Sequence, residues 1–344
     1  MSINELMREL SMERPEDLYD VTIIGGGTTG LFASFYCGMR DLKTKVIEAS
    51  SHLGGKVTQF FPEKYIYDIG GIPGITGDDL VKQAEKQAMK HNPSIITKQW
   101  IDHVIKKGDN TFELVTHNGA KHYTKAVIIA TGMGSFNVVG PSLENADAYE
   151  HTSLHYSISN REKFAEKIVM ISSNNRVGIE WALTLEKLAD KVYLVNGEEA
   201  FQHASDEEVH RLSESSVEVI VEATIESLYG EKGLLTGVNY RDRGELKKLS
   251  VDHLCIYHGV KLNAAPFEQW DLTTEKGRVS VDLNMGTKIE GLFVAGDAAI
   301  YQGKTMLIGS GYTEAITAVN SAKKYIEPKS SAQVYSTVIY KNDK

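Results

Sequence analysis

The chain has 344 residues, 42% of them hydrophobic, and a net charge of −9. This length is typical of two domains, and the negative charge argues against general nucleic-acid binding. No apolar run approaches the roughly 18 residues of a membrane span, and residues 1–15 lack the core of a signal peptide, so we expect no membrane association and a cytoplasmic location.

Cysteine and histidine spacing exclude two further kinds of site. Cys37 and Cys255 are the only cysteines and form no CxxC pair, so a dithiol redox motif is absent. The eleven histidines show no HExxH or other paired ligand spacing, so we predict no metal site.

Three buried strands that each end in a turn are predicted along the chain, at residues 19–24, 167–171 and 292–295. Each of the first two is followed by a helical stretch and a second strand, at residues 45–47 and 191–195. Such βαβ units with continuous apolar strands are typical of parallel sheets. We therefore predict an α/β fold with two Rossmann-like dinucleotide-binding domains, the second inserted into the first.

The domain boundaries follow from the strands and the polar stretches between them. A strand at residues 126–129 closes the first part of the first domain, and a polar stretch from Gly140 to Ser153 is a plausible crossing. The predicted parts are an N-terminal extension, a discontinuous first domain, a second domain and a C-terminal tail, at residues 1–17, 18–140 with 259–327, 141–258, and 328–344.

The first turn (residues 25–30) matches the GxGxxG pattern directly after a strand. Gly25 permits the tight turn, Gly27 lets the backbone approach a diphosphate, and Gly30 lets helix and strand pack closely. Glu48 follows the next strand, where a carboxylate can accept hydrogen bonds from an adenosine ribose. The sequence therefore predicts a dinucleotide site here, with Thr29 inside the motif.

Several later motifs carry a resemblance to a known family, namely Leu53–Gly54–Gly55, residues 62–68, Leu154–His155–Tyr156, Glu180–Trp181–Ala182, Gly296–Asp297 and Ser336–Thr337. In this order they resemble the ferredoxin–NADP reductases of the thioredoxin-reductase-like type, over about residues 18–337. The resemblance implies an FAD-dependent reductase that passes electrons between a reduced nicotinamide and ferredoxin or flavodoxin. It also implies a homodimer whose C-terminal tail crosses to the partner's flavin.

The resemblance also assigns residues to the flavin. It implies that Phe61 and Tyr335 stack on the two faces of the isoalloxazine and that Asp297 bonds the ribityl chain or phosphate. The N-terminus of the helix after Asp297 is expected to face the isoalloxazine. The other positions implied to contact the cofactor are Gly55, Lys56, Ile101, Phe136 and Thr337. The flavin carries the chemistry, so no catalytic side chain is predicted.

The second turn (residues 173–178) departs from the family pattern. Ser173 and Asn175 occupy the first two glycine positions, and only Gly178 fits. A side chain at Asn175 stands where the backbone should meet a diphosphate, although Arg176 could offset this as a phosphate-binding cation.

The strand after the second turn departs as well. Relatives follow it with His-Arg-Arg and a later Arg, which bind the 2′-phosphate of NADPH, whereas Asn196, Gly197, Glu198 and Gln202 stand here. Two interpretations remain open: the protein uses NADH, or NADPH poorly; or the second domain is structural and another donor supplies the electrons. An FAD-bound sensing module and a quinone or dye reductase are the alternative functions.

Overall fold

The structure, a computed structural model, describes residues 18–141, 143–150, 152–158 and 160–331. Among them, the residues up to Ser135 and from Ala264 onward form one compact unit, and Phe136–Asn263 form a second. We call these unit 1 and unit 2.

The elements are named in chain order. The first stretch contains β1 (Leu18–Ile24), α1 (Thr28–Met39), β2 (Thr44–Ile47), α2 (Lys56–Phe60), β3 (Tyr65–Ile66), β4 (Ile75–Thr76), α3 (Gly77–Ala88), β5 (Ser94–Ile96), β6 (Ile101–Lys106), β7 (Phe112–Thr116), β8 (Lys121–Ile129) and β9 (Gly134–Val138). The middle contains β10 (Leu154–His155), β11 (Ile168–Ser172), α4 (Arg176–Leu185), β12 (Lys191–Val195), α5 (Asp206–Ser213), β13 (Glu218–Ile220), β14 (Ala223–Glu231), β15 (Leu234–Asp242), β16 (Glu245–Leu249), β17 (His253–Ile256) and β18 (Val260–Ala264). The last stretch contains β19 (Thr274–Glu275), β20 (Arg278–Ser280), β21 (Leu292–Val294), β22 (Ala299–Ile300) and α6 (Ile308–Ile326).

Unit 1 is built on a seven-stranded sheet in the order β5-β2-β1-β8-β7-β6, with β21 also paired to β8. Strands β5, β2, β1, β8 and β21 run parallel, while β7 pairs antiparallel with both β8 and β6. The long strand β8 pairs with β7 through its first half and with β21 through its second half.

Both faces of this sheet are covered by apolar side chains. On one face Ile23 and Ile128 belong to a cluster with residues of α1 and α6, including Ala315 and Val319. On the other face Ile24 and Ile129 belong to a cluster with Phe267 and Trp270. Burial of each such Ile or Phe side chain stabilises the fold by about 1.5–3 kcal/mol, which explains why these strands are continuous apolar runs.

Unit 2 contains a parallel five-stranded sheet in the order β10-β17-β11-β12-β13 and an antiparallel sheet of β14, β15 and β16. Helix α4 follows β11, and β12 lies beside β11, so this unit repeats the βαβ arrangement of β1, α1 and β2. The prediction of two Rossmann-like units, the second inserted into the first, is confirmed.

Candidate functional site

The carboxyl ends of four strands in unit 1 meet at one edge of the sheet. Ile24 aligns with Ile47 of β2 and with Ile129 of β8, and Ile129 aligns with Val294 of β21. The chain leaves these strands at Gly25, Glu48, Ala130 and Ala295. Residues 48 and 295–297, far apart in sequence, therefore lie at the same edge as the first turn, where ligands of open α/β sheets bind.

The glycines of the first turn differ in what they accommodate. Gly25 has φ +108°, and a Cβ on it would lie 2.5 Å from the carbonyl oxygen of Ala130. A Cβ on Gly30 would lie 1.9 Å from the carbonyl oxygen of Gly25. At Gly27, by contrast, φ is −71°, and a Cβ would meet nothing closer than the Cα of Gly55 at 3.9 Å. The fold itself needs Gly25 and Gly30, whereas Gly27 leaves open space at the start of α1.

Helix α1 begins without a capping side chain at Gly27. Among the described residues, no group accepts a hydrogen bond from the amides of Thr28, Thr29 or Gly30; Leu31 N is the first to bond, to Gly27 O at 2.9 Å. Uncapped first-turn amides and the helix dipole form a favourable site for an anion. The open space at Gly27 and these amides suit a diphosphate.

Glu48 is fixed beside the first turn by two backbone amides. Its Oε2 accepts from Gly26 N at 2.6 Å and its Oε1 from Ser50 N at 2.8 Å. The residue is 7% exposed. Hydrogen bonds to a carboxylate are strong, so its orientation is set before any ligand arrives. This arrangement suits the two hydroxyls of an adenosine ribose.

A second glycine bend lies against the first turn. Gly54 N donates to Gly26 O at 2.9 Å, and Gly55, with φ +58°, lies beside Gly27. A Cβ on Gly55 would be 3.2 Å from the Cα of Gly27. Gly55 also precedes α2, so the bend brings Lys56 to the site.

Lys56 and Asp297 form an ion pair of 2.6 Å between Nζ and Oδ2, although 241 residues separate them. Their side chains are 40% and 28% exposed, so both remain accessible to a ligand. Arg278 Nε donates to Asp297 O at 3.1 Å, which fixes the backbone of the 3₁₀ turn Gly296–Ala298. The family resemblance assigned both residues to the cofactor site but did not predict that they form an ion pair.

A buried network below this turn was missed by the sequence reasoning. Glu314 of α6 accepts from Gly296 N at 2.8 Å, from Tyr301 Oη at 2.7 Å and from Lys304 Nζ at 2.6 Å. Lys304 also donates to Gly296 O at 2.9 Å, and the Lys304 and Glu314 side chains are only 5% and 4% exposed. The signal was present in the sequence, because Glu314 is an acid on an otherwise apolar helix face with Ala315, Ala318 and Val319.

The N-terminus of α6 lies near the start of α1. A Cβ on Gly311 would be 2.4 Å from Thr29 Oγ1, and one on Gly296 would be 2.9 Å from the same atom. No side chain caps α6 at Leu307. The helix begins at Ile308, eleven residues after Asp297 and not directly after it, because β22 intervenes.

The remaining predicted residues differ in placement. Phe61, which ends α2, is 44% exposed, and Lys64 Nζ lies 5.2 Å from its ring centroid. Ile101 is 3% exposed and packs in the core around Phe112, so its predicted contact with the cofactor stays a prediction. The side chain of Phe136 and all of Tyr335 and Thr337 lie outside the described residues.

The second turn, in unit 2, has the same strand register as the first, but a side chain stands where the first turn has the open space at Gly27. Ser172 of β11 aligns with Val195 of β12, so Asn175 stands at the position of Gly27 and caps α4 with its side chain. Its Oδ1 accepts from Val177 N at 3.0 Å, while its Nδ2 donates to Tyr257 O at 2.9 Å. The predicted interference of this side chain with a diphosphate is consistent with that geometry, and the ligand itself stays a prediction.

The three other predicted residues of the second turn also interact with neighbouring protein groups, by a hydrogen bond, by close packing and by ion pairs. Ser173 Oγ donates to Tyr257 O at 2.7 Å, and a Cβ on Gly178 would lie 2.2 Å from the Cβ of Ser173. Arg176 forms ion pairs with Glu180 at 3.0 Å and Glu208 at 3.1 Å.

The described part of the chain contains no group of three His, Cys, Asp or Glu side chains placed to hold a metal ion. None of the helices in that part has the length and apolar character that crossing a membrane requires.

Comparison with known proteins identifies the class. Residues 19–322 match the family model described as pyridine nucleotide-disulphide oxidoreductase, and the chain belongs to this family. The thioredoxin reductase of Streptococcus pyogenes superposes with a TM-score of 0.56 at 22% identity, covering 91% of this chain and 99% of that one, and shows the same fold. The predicted class, a flavoprotein oxidoreductase that uses FAD and a pyridine nucleotide, is confirmed.

Curated relatives narrow the assignment within the class. "Ferredoxin--NADP reductase 1" of Bacillus velezensis is 43% identical over 95% of this chain and 98% of its own length. "Ferredoxin--NADP reductase 1" of Listeria monocytogenes is 41% identical over 91% and 95%, and "Ferredoxin--NADP reductase 2" of Bacillus subtilis is 39% identical over 96% and 100%. The predicted resemblance to ferredoxin–NADP reductases is confirmed.

Proposed function

We propose that this chain is an FAD-dependent reductase that exchanges electrons between a reduced nicotinamide and a one-electron carrier, ferredoxin or flavodoxin. The observation that carries the proposal is the open first turn: Gly27 has no side chain, three amides of α1 bond no group within the described part of the chain, and Glu48 is fixed beside them. The names of the relatives support the carrier and the nicotinamide.

The residues of unit 1 divide the work of holding the cofactor. The amides at the start of α1 would bind the diphosphate, and Glu48 would accept the ribose hydroxyls. Asp297, oriented by its ion pair with Lys56 and by the hydrogen bonds of Gly296 with Glu314 and Lys304, would bind the ribityl chain or phosphate. Phe61 offers an exposed ring for stacking on one face of the isoalloxazine.

A bound flavin supplies the chemistry that links two-electron and one-electron donors and acceptors. The protein then needs to orient it, stack on it and exclude competing reactions. No side-chain nucleophile is needed for this.

Several finer expectations belong to the same proposal. We expect domains at residues 18–140 with 259–327 and at 141–258, between a terminal extension and a tail. We expect a cytoplasmic homodimer in which Tyr335 and Thr337 of the tail reach the partner's flavin. A sedimenting species of one chain at micromolar concentration would contradict the dimer.

The second candidate is an FAD-bound redox module whose flavin receives electrons from another donor or reports redox state. The side chain of Asn175 at the start of α4 favours it, because that helix end is already capped. Turnover separates the two candidates, since a module that only senses would not cycle electrons repeatedly.

The test is anaerobic reduction of the flavin. NADH or NADPH is added to the holoprotein, and bleaching of the visible flavin band is followed before oxidised ferredoxin or flavodoxin is supplied. Bleaching by a nicotinamide followed by rapid reoxidation over many cycles is expected. If dithionite bleaches the flavin and neither nicotinamide does, the nicotinamide half of the proposal is wrong.

A further inference from the structure

The amides that would receive a diphosphate in unit 2 already have acceptors within the protein. Val177 N donates to Asn175 Oδ1, and Gly178 N donates to Asn175 O at 3.1 Å. Arg176 N donates to Gln202 O at 3.2 Å. A dinucleotide has to displace this cap to reach α4. That penalty is the same for NADH and NADPH, because their diphosphates are identical.

The adenosine end of the site carries a carboxylate in place of a cation. Glu198 Oε1 accepts from Asn174 Nδ2 at 3.3 Å, and both Glu198 oxygens accept from Gln202 Nε2, at 2.9 and 3.1 Å. Asn174 is the counterpart of Gly26, whose amide bonds Glu48 in the first turn. By register Asn196 stands at the position of Glu48, and Glu198 follows two residues later, but its carboxylate also contacts the turn. Ribose hydroxyls can donate to a carboxylate placed there, and a 2′-phosphate would be repelled.

No free cation offsets that carboxylate. Across residues 173–178 and 196–202, Arg176 is the only Lys or Arg, and two carboxylates already engage its guanidinium. His258, near Glu198, bonds Ser172 Oγ at 2.7 Å. Burial lowers its pKa below the usual range, although Glu198 opposes the shift, so the ring is neutral at pH 7.

We propose that unit 2 selects an adenine dinucleotide with a free 2′-hydroxyl, NADH, and discriminates against NADPH. Glu198 determines this specificity, whereas the Asn175 cap weakens both ligands without selecting between them. The inference rests on the proposed function and names its electron donor, in contrast to the NADP in the names of the relatives.

Binding of nucleotide fragments tests the inference without any turnover. Calorimetric titration of the holoprotein with AMP and with adenosine 2′,5′-bisphosphate, up to millimolar concentration, compares the same adenosine 5′-phosphate with and without the 2′-phosphate. We expect the dissociation constant of the bisphosphate to be larger by about tenfold or more. NADH should likewise reduce the flavin at lower concentration than NADPH does.

Two variants separate the effect of the Asn175 cap on affinity from the effect of Glu198 on specificity. Asn175→Gly should tighten both fragments by a similar factor, because it frees Val177 N for phosphate. The double variant Glu198→Arg/Gln202→Arg should reverse the preference towards the 2′-phosphate. Glu231→Arg, an exposed position on β14, is the control for adding positive charge and should leave the ratio unchanged.

Two results would overturn the inference. The first is equal or tighter binding of the bisphosphate by the unaltered protein. The second is no binding of either fragment by the unaltered protein and by Asn175→Gly together. The proposed electron exchange is judged separately, because dithionite-reduced holoprotein either passes electrons to ferredoxin or flavodoxin or fails to do so whatever unit 2 binds.

Discussion

The backbone amide of Gly26 donates a 2.6 Å hydrogen bond to Oε2 of Glu48, which joins the first turn to the end of the neighbouring strand β2. The carboxylate is thereby held with its remaining acceptor capacity next to the uncapped start of α1. In unit 2 Asn196 stands at the position of Glu48, and the carboxylate that reaches the turn is that of Glu198, which accepts from the side chain of Asn174. The two units therefore share a strand register, but the start of the helix is open in unit 1 and is occupied by the Asn175 side chain in unit 2.

Gly27→Val should abolish FAD binding and leave the fold intact. Its φ of −71° suits any residue, and a Cβ there would meet nothing closer than 3.9 Å, so the apoprotein should lose only about 1 kcal/mol, because Val is a poorer N-cap residue than Gly. The side chain would instead fill the space we assign to the diphosphate. Denaturant unfolding of the apoprotein and a fluorescence titration with FAD measure the two effects.

Two other glycine variants serve as controls for that result. Gly108→Val, in open space between β6 and β7, should change neither property. Gly30→Ala should destabilise the protein by about 1–3 kcal/mol or more, because its Cβ would collide with Gly25 O. Retention of FAD by Gly27→Val would contradict the assignment of this space.

Lys304→Met should destabilise the protein strongly. The variant leaves the carboxylate of Glu314 buried without its ion-pair partner, a loss of about 3–5 kcal/mol in other proteins. The double variant Lys304→Met/Glu314→Gln should recover more than half of the loss, since a neutral amide oxygen still accepts from Gly296 N. Urea unfolding measures both, and a single variant within 1 kcal/mol of the unaltered protein would show that the pair contributes little.

Tyr301 predicts a pH dependence at the alkaline end. Burial, with the hydrogen bond to Glu314, raises the pKa of Tyr301 to about 12. A raised pKa means that the folded state retains the proton, so the stability from this group is complete below about pH 10 and declines as pH rises towards 12. Between pH 9 and 11.5, Tyr301→Phe should lose less unfolding free energy than the unaltered protein. Parallel curves for the two proteins would rule out this role.

The two thiols should be inert in the native protein. Burial raises the pKa of Cys37 to about 12 and raises the pKa of Cys255 as well. Because the thiolate is the reactive form, a disulfide reagent should modify neither native cysteine near pH 8 and both after denaturation. Rapid modification of either thiol in the folded protein would disagree with the buried placement.

The sequence predicted the parts of the site that depend on strand ends. Parallel strands such as β1 and β2 are continuous apolar runs because both faces of the sheet are covered, so their ends, and with them Gly25 and Glu48, could be located by pattern. The departure of the second turn was visible for the same reason. The second turn could be matched to the first from the sequence alone, because each turn follows the first strand of a βαβ unit.

Contacts made across long stretches of chain could not be predicted in this way. The pairing of Lys56 with Asp297 depends on where the Gly54–Gly55 bend places α2, and the role of Glu314 depends on how α6 packs beneath Gly296. The substitution at Asn175 was clear from the sequence. Its use as the cap of Val177 N, which fills the helix end, required the coordinates of the side chain.

The flavin content of the purified protein tests the assignment of the first turn as the FAD site. We expect a yellow protein with one FAD per chain, or an apoprotein that takes up one FAD per chain and then shows the visible flavin band. A colourless protein that binds no FAD when it is offered in excess would contradict the central claim that the first turn is a flavin site.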